Sequence, residues 1–245
     1  MLKFLGRRSA FHEEQNNSYF IDGDRLVMLD CAMNGFHVIR REGLKKLAEA
    51  YRGSVDAEEP KEFVILVTHT HGDHIGGIPM LIHYAYYVLK KPVTVVAPSE
   101  EVKEDMDYLL RRMEGCAQDG YRLLTVEEAG YEFVKAAILT EHVPDLAGRC
   151  FGYQLELEGR NVIYTGDSCT LKPFLPYITE GTVLYTEVSA FDTPVHLYVE
   201  RLLEQEEFLR EKKAEVYLMH LDDEDLILGK TKSAGYQPAP LVTWI

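Results

Sequence analysis

The sequence lacks the long apolar run that a membrane protein would need. No stretch approaches the ~18 apolar residues of a membrane-spanning helix. Residues 1–10 contain Lys3, Arg7 and Arg8 but no continuous apolar segment of the kind found in a secretory signal. The sequence therefore predicts a cytoplasmic protein with no membrane partner.

Cysteine is scarce and scattered. The 245 residues include four cysteines, Cys31, Cys116, Cys150 and Cys169. No two of them have the Cys-x-x-Cys spacing that is typical of thiolate metal sites. This pattern favours reduced thiols in the core over a disulfide framework.

Positive charge is also in short supply. The chain has 26 Lys and Arg residues against 40 Asp and Glu residues, so its net charge is −14. Non-specific nucleic-acid binders usually carry a basic face, so this balance disfavours a long polyanionic partner unless a local basic patch or a metal offsets it. A small anionic substrate held by metal ions remains compatible with the charge.

The sequence does contain a dense group of metal-capable side chains after an apolar run. Phe63 to Val67 has the length and the branched residues of a buried strand. His69, His71, Asp73 and His74 then follow within six positions. Neutral imidazole and carboxylate are usual ligands of zinc-like ions, so this stretch predicts a metal site.

An earlier hairpin leads to a further acidic residue. Ser18 to Ile21 and Leu26 to Leu29 flank Asp22-Gly23-Asp24, which is a good turn because glycine tolerates positive φ. Asp30 follows the second strand. Asp30 either bonds to the metal-bearing loop, which we define as His69 to His74, or simply ends the strand. The sequence supports both interpretations equally.

Three later stretches each place a ligand-type residue just beyond an apolar strand: His142, Asp167 and His220. Loops at strand ends converge while the strands hold them rigid, so these residues can complete a site.

Between Asp167 and His220, the stretch from Pro194 to about Lys213 predicts an amphipathic helix that begins with proline. Leu221 to Ile245 is expected to be irregular.

At this point the sequence resembles the metallo-β-lactamase-fold hydrolases. The match lies in His69-Thr70-His71-Gly72-Asp73-His74, His142, Asp167 within Tyr-Thr-Gly-Asp-Ser, and His220. This order covers nearly the whole chain and fills all seven ligand positions. The resemblance implies an α+β fold, a four-layer αββα sandwich. It also implies a single domain over residues 1–245, with two similar halves of about 1–118 and 119–245.

The same resemblance implies a site for two divalent ions. One ion would be held by His69, His71 and His142, the other by Asp73, His74 and His220, with Asp167 bridging them. Two ions about 3.5–4 Å apart can lower the pKa of a shared water and give a bridging hydroxide nucleophile. Asp73 also has a family role in guiding the nucleophile's proton. The histidine-rich set suits zinc, although manganese or iron also binds such sets.

Two shorter stretches are similar to the ribonuclease Z-like phosphodiesterase branch, which commonly forms homodimers. The first is His74 to Pro79, followed later by Val95 to Pro98, and the second is Arg149 to Glu156. Glu187 and His196 fall where that branch often has an acidic residue and a histidine, which implies His196 as the general acid. The other interpretation of His196 is a surface histidine in the first turn of a helix.

The predicted function is hydrolysis of a small phosphodiester such as a cyclic nucleotide. The tRNA-processing members have a long arm where this chain has only Val143 to Gly166, and the net charge of −14 also disfavours tRNA. The alternatives are hydrolysis of a thioester, lactone or other ester, and RNA processing by a ribonuclease Z-like nuclease. A noncatalytic or redox metal module is the least expected function. Its redox version is disfavoured by His71, because diiron oxygen-reducing relatives have an acidic residue there.

Overall fold

The computed structural model describes residues 1–244, and Ile245 lies outside the described residues. The chain forms two compact units. The first contains Met1–Gly6, Glu13–Ala129 and residues 240–244, and the second contains Arg7–His12 and Gly130–Ala239. The single domain of residues 1–245, with halves that meet near residue 118, stays a prediction.

The first unit is built on a six-stranded sheet, ordered β1 to β6. Its strands are β1 (Lys3–Gly6), β2 (Asn17–Asp22), β3 (Arg25–Leu29), β4 (Glu62–Leu66), β5 (Val93–Ala97) and β6 (Arg122–Thr125). The first three strands are antiparallel, and β3 to β6 are parallel. Phe63 to Leu66 are fully buried, as expected for a central parallel strand with both faces covered.

Five helices belong to this unit. They are α1 (Met33–Arg52), α2 (Gly72–Ile75), α3 (Ile78–Tyr84), α4 (Glu100–Asp107) and α5 (Val126–Ala129), with π-helical turns at Ala85–Leu89 and Tyr108–Met113. Gly77 allows the α2–α3 junction to lie close to the residues after β3, because a Cβ there would be 2.3 Å from the Ala32 carbonyl oxygen. Its N–H donates to the Cys31 carbonyl at 2.8 Å. This contact brings the metal-bearing loop up to the residues that follow β3.

The second unit repeats the strand pattern of the first. Its strands are β7 (Val134–Leu139), β8 (Phe151–Leu157), β9 (Arg160–Tyr164), β10 (Val183–Glu187), β11 (Glu215–Met219) and β12 (Gln237–Pro238). They lie in chain order across one sheet, antiparallel from β7 to β9 and parallel from β9 to β12. A buried core that includes Ile163, Leu184 and Leu218 packs the helices of this unit against the sheet.

The helices of the second unit differ from the sequence expectation in two places. They are α6 (Val199–Leu203), α7 (Glu206–Glu211) and α8 (Glu224–Thr231). The helix predicted from Pro194 begins only at Val199, because the Ser189 carbonyl accepts from Val199 N–H and the Leu197 carbonyl accepts from Ser189 N–H. The tail expected to be irregular contains α8, whose N-terminus is capped by the Asp223 carboxylate.

Parallel strands place polar residues at one edge of each sheet. In the first unit, β3 leads to Asp30 and β4 leads to His69; in the second, β9 leads to Asp167, β10 ends at Glu187 and β11 leads to His220. The carboxyl ends of parallel strands share an edge, so these side chains gather there. Across residues 1–244, no helix combines the length and apolar character needed to cross a bilayer.

Candidate metal centre

In the first unit, the four predicted ligands lie together after β4. His69 and His74 are fully buried, and their ring centroids are 4.1 Å apart. Nε2 of His69 lies 3.0 Å from Nδ1 of His71. Nε2 of His74 lies 3.4 Å from Oδ2 of Asp73. The ring nitrogens and the carboxylate therefore form one cluster.

A buried aspartate behind the cluster fixes its orientation. Asp30 is fully buried. Its Oδ1 accepts a hydrogen bond from Thr68 N–H at 2.8 Å, and its Oδ2 accepts from the Thr68 hydroxyl at 2.8 Å and from His74 Nδ1 at 2.7 Å. Of the two interpretations that the sequence left open, the bond to the metal-bearing loop is confirmed.

These bonds determine which imidazole nitrogen carries the proton. A carboxylate can only accept, so the Thr68 hydroxyl and His74 Nδ1 both donate to Asp30. The Thr68 oxygen then accepts from His69 Nδ1, 3.0 Å away. In the neutral rings of His69 and His74, Nε2 is consequently the unprotonated nitrogen, as a metal ligand requires.

Two site residues have an unusual backbone conformation. Asp30 has a φ of 60° and His220 a φ of 53°. Non-glycine residues seldom occupy this left-handed region, although Asp and His are enriched among those that do. Such conformations persist where the surrounding structure imposes them, and they concentrate at functional sites.

Replacing Asp30 with asparagine is expected to weaken metal binding about 10- to 100-fold, the range typical of partners of ligating histidines. The amide keeps the size of the carboxyl group and tolerates the positive φ. Its NH2 group would donate to His74 Nδ1, however, and so move the ring proton to Nε2.

Competition with a chromogenic chelator measures this change in affinity. Asp56→Asn, on an exposed loop of the same unit, is the matched control. If the Asp30 variant bound metal as tightly as the control and the wild-type protein, Asp30 would have no orienting role.

In the second unit, Asp167 is surrounded by histidines. Its Oδ2 lies 3.7 Å from His142 Nε2, 3.6 Å from His220 Nε2 and 3.9 Å from His196 Nδ1. All three separations exceed hydrogen-bond length, and those to His142 and His220 suit groups that share a cation. The ligand atoms of His142, Asp167, Glu187 and His196 all lie within 4.8 Å of one another.

His142 is oriented in the same way as His74. Its Nδ1 lies 2.6 Å from the Val195 carbonyl oxygen. A carbonyl only accepts, so Nδ1 donates, and the Nε2 that faces Asp167 is unprotonated in the neutral ring. His142 therefore also presents a metal-competent nitrogen.

His196 forms a pair with a buried glutamate. Its Nδ1 lies 2.8 Å from Oε2 of Glu187, and the other carboxylate oxygen, Oε1, accepts from Ser168 N–H. Burial raises the pKa of Glu187 despite the opposing charge of His196. Burial lowers the pKa of His196, but the charge of Glu187 and its hydrogen bond outweigh this and raise the pKa to about 9. His196 lies in the loop before α6, not in a helical turn.

Asp222 is a site-supporting residue that sequence reasoning missed. Its Oδ2 accepts from the Ser189 hydroxyl at 2.6 Å, and its Oδ1 accepts from Ala190 N–H at 2.8 Å. These bonds connect the segment after His220 to the loop that carries His196. In the sequence, Asp222 is one acid in an acidic run, which is usually only a solvated surface.

The donor set in both units fits a divalent metal. Its members are imidazole nitrogens and carboxylate oxygens, which suit zinc, manganese and iron. The 3.0 Å between His69 Nε2 and His71 Nδ1 is close to the separation of about 3.3 Å expected for two nitrogens 2.0–2.1 Å from one tetrahedral ion. The residues thus meet the requirements for divalent metal binding.

Solved structures share the fold of this chain. The metallo-β-lactamase fold protein YhfI from Bacillus subtilis aligns with 100% of the chain and 97% of its own, at a TM-score of 0.70 and 15% identity. The short form of human tRNase Z also covers 100% of the chain and 97% of its own, at a TM-score of 0.61 and 14% identity. These likenesses confirm the predicted α+β fold and the resemblance to the ribonuclease Z-like branch.

The family follows from sequence comparison. The Anti-Pycsar protein Apyc1 of Paenibacillus xerothermodurans is 28% identical over 251 residues, which cover 96% of this chain and 93% of that protein. Residues 1–235 match the family model described as Anti-Pycsar protein Apyc1. A match over nearly the whole chain shows membership, and the chain belongs to the Anti-Pycsar protein Apyc1 family.

Proposed function

We propose that the protein is a binuclear metal-dependent phosphodiesterase that hydrolyses a cyclic nucleotide. The observation that carries the proposal is the fixed protonation of three histidines. His69, His74 and His142 each donate from Nδ1 to a neighbouring group and so present an unprotonated Nε2. Membership in the Anti-Pycsar protein Apyc1 family supports a cyclic nucleotide as the substrate.

The seven predicted ligands hold two divalent ions in this proposal. His69, His71 and His142 would hold one ion, Asp73, His74 and His220 would hold the other, and Asp167 would be shared by both. The abundance of imidazole favours zinc over manganese or iron. When bound, two such ions lower the pKa of a shared water and neutralise charge that develops on the attacked phosphoryl group.

The proton on the leaving oxygen comes from His196. Glu187 holds Nδ1 of this ring, which leaves Nε2 to donate. The side chain of His196 is 28% exposed, whereas that of Glu187 is 1% exposed, so substrate can reach the histidine while the glutamate stays behind it. Asp73 guides the proton of the nucleophile, a role compatible with that of a ligand.

A small substrate suits the connection between His142 and Asp167. Residues 143–166 contain a 3₁₀ turn at Pro144–Leu146 and the paired strands β8 and β9, so the short segment noted in the sequence is folded into the sheet. The net charge of −14 also favours a small anion held by metal over a long RNA.

Metal-loaded protein is expected to hydrolyse 3′,5′-cyclic nucleotides and bis(p-nitrophenyl) phosphate. The two ions neutralise the charge on a phosphoryl group best. The kcat/KM for these phosphodiesters should therefore exceed the kcat/KM for thioesters and lactones by at least about tenfold. A panel of these substrates with a short RNA, followed by chromatography of the products, makes the comparison. Turnover of a thioester, lactone or RNA without any cyclic-nucleotide hydrolysis would contradict the proposed function.

A further inference from the structure

A cavity of about 400 Å³ lies beside the loop that begins at His142. Its volume is within the range of small-molecule pockets. It is formed entirely by residues of the second unit. The apolar part of its lining consists of Leu139, Val143, Pro144, Ala147, Pro173 and Pro194.

The apolar walls of this cavity are stiff. Three of the six apolar residues are prolines, whose rings fix the backbone φ angle, so these walls lose little freedom when they contact a ligand. Leu139 is 52% exposed, and an occupant would remove this large apolar side chain from water. Such walls suit the faces of a planar ring.

The polar groups at the cavity exclude the phosphate end of a substrate. The Thr140 hydroxyl is already used in a hydrogen bond to Ser168. Glu141 is exposed and lies in the lining. Its carboxylate would repel a phosphate but can accept a hydrogen bond from an amino group or a ring N–H. The cavity therefore matches the uncharged, nitrogen-rich part of a nucleotide.

The position of the cavity connects it to the reacting centre. His142 contributes both to the lining and to the cluster around Asp167, where its Nε2 lies 3.7 Å from the carboxylate. Pro194 lies next to Val195, the residue whose carbonyl orients His142. The cavity thus borders the residues to which the proposed function assigns phosphate hydrolysis.

We infer that this cavity is the subsite for the nucleobase of the substrate. The inference rests on the proposed function and adds that the base is recognised as well as the phosphodiester. Val143, Pro144 and Pro173 contact the faces of the base, and Glu141 accepts a hydrogen bond from its edge.

Filling the cavity tests this inference. Ala147 is exposed, so Ala147→Trp can occupy the space without repacking the core. The control is Glu207→Trp, which adds the same side chain at an exposed position of the same unit outside the lining. Two substrates separate base binding from chemistry: 3′,5′-cyclic AMP and the 3′,5′-cyclic phosphate of methyl riboside, which has the same reacting ring but no base. Thermal unfolding and metal content confirm that both variants remain folded and loaded.

Wild-type protein and Glu207→Trp are expected to prefer cyclic AMP over the baseless analogue by about 10- to 100-fold in kcat/KM, the range for burying a substrate's apolar group. Ala147→Trp should lose that preference and keep its rate on the analogue within about twofold. Equal rates of the wild-type protein on both substrates, or an equal loss on both in the variant, would overturn the subsite. If wild-type protein hydrolysed neither substrate, the proposed function would be wrong, and so would the assignment of the base subsite.

Discussion

Replacing Asp167 with alanine is expected to abolish turnover and to release metal. Asp167 is 3% exposed, and its Oδ2 lies within 3.9 Å of nitrogens of His142, His196 and His220. In the proposed site it is the ligand common to both ions, so its loss removes a negative charge from each. We expect kcat/KM to fall by at least about 10³-fold, since two-metal catalysis depends on both ions.

Metal analysis of the purified variant distinguishes this explanation from unfolding. The expected result is folded protein with less than one ion per chain, and addition of excess zinc should not restore the wild-type rate. Asp145→Ala removes an exposed carboxylate from the same unit and should change neither metal content nor rate. His71→Ala tests the ligand set of the first unit and should also abolish turnover with loss of metal. If Asp167→Ala kept the metal content of the wild-type protein, Asp167 would not be a metal ligand.

Replacing His196 with alanine is expected to lower the rate while metal remains bound. His196 Nδ1 lies 3.9 Å from Asp167 Oδ2 but is hydrogen-bonded to Glu187 at 2.8 Å, so we assign it to proton transfer and not to metal binding. General acids contribute about 10²- to 10⁴-fold. The loss should therefore reach this range for a poor leaving group such as the ribose oxygen of a cyclic nucleotide.

Substrates with different leaving groups show whether His196 is a general acid or only supports the fold. With bis(p-nitrophenyl) phosphate, whose leaving group departs without protonation, His196→Ala should retain a rate within about tenfold of wild type. Glu187→Gln should show the same dependence in weaker form, because the amide still holds the ring. Full activity of His196→Ala on a cyclic nucleotide would exclude the general-acid role.

The sequence was informative about the strands and the ligand types because both have strong local signatures. Phe63 to Val67 predicted β4 to within one residue at each end, and the histidines after it lie together in the structure. The role of Asp30 could not be decided from sequence. It depends on Thr68 and His74, which lie 38 and 44 positions away and meet Asp30 only when β3 and β4 pair.

The helix start predicted at Pro194 was wrong because, as with Asp30, tertiary contacts decide the structure there. Residues from Pro194 onward have an amphipathic pattern, yet residues 189–198 form a loop that Asp222 holds through Ser189 and Ala190. These tertiary bonds override the local helical preference. In α8, Ile227 and Thr231 are buried while Leu226 is 42% exposed, so its apolar residues do not form one clear stripe, and periodicity gave no helix there.

Hydrolysis of 3′,5′-cyclic AMP, measured as zinc is added back to metal-free protein, tests whether the enzyme works through two metal ions. Nucleoside monophosphate should appear only with metal, and the rate should reach its plateau at about two equivalents per chain. A full rate in metal-free protein would exclude a binuclear metal-dependent phosphodiesterase, as would a plateau at one equivalent or no product at any metal concentration.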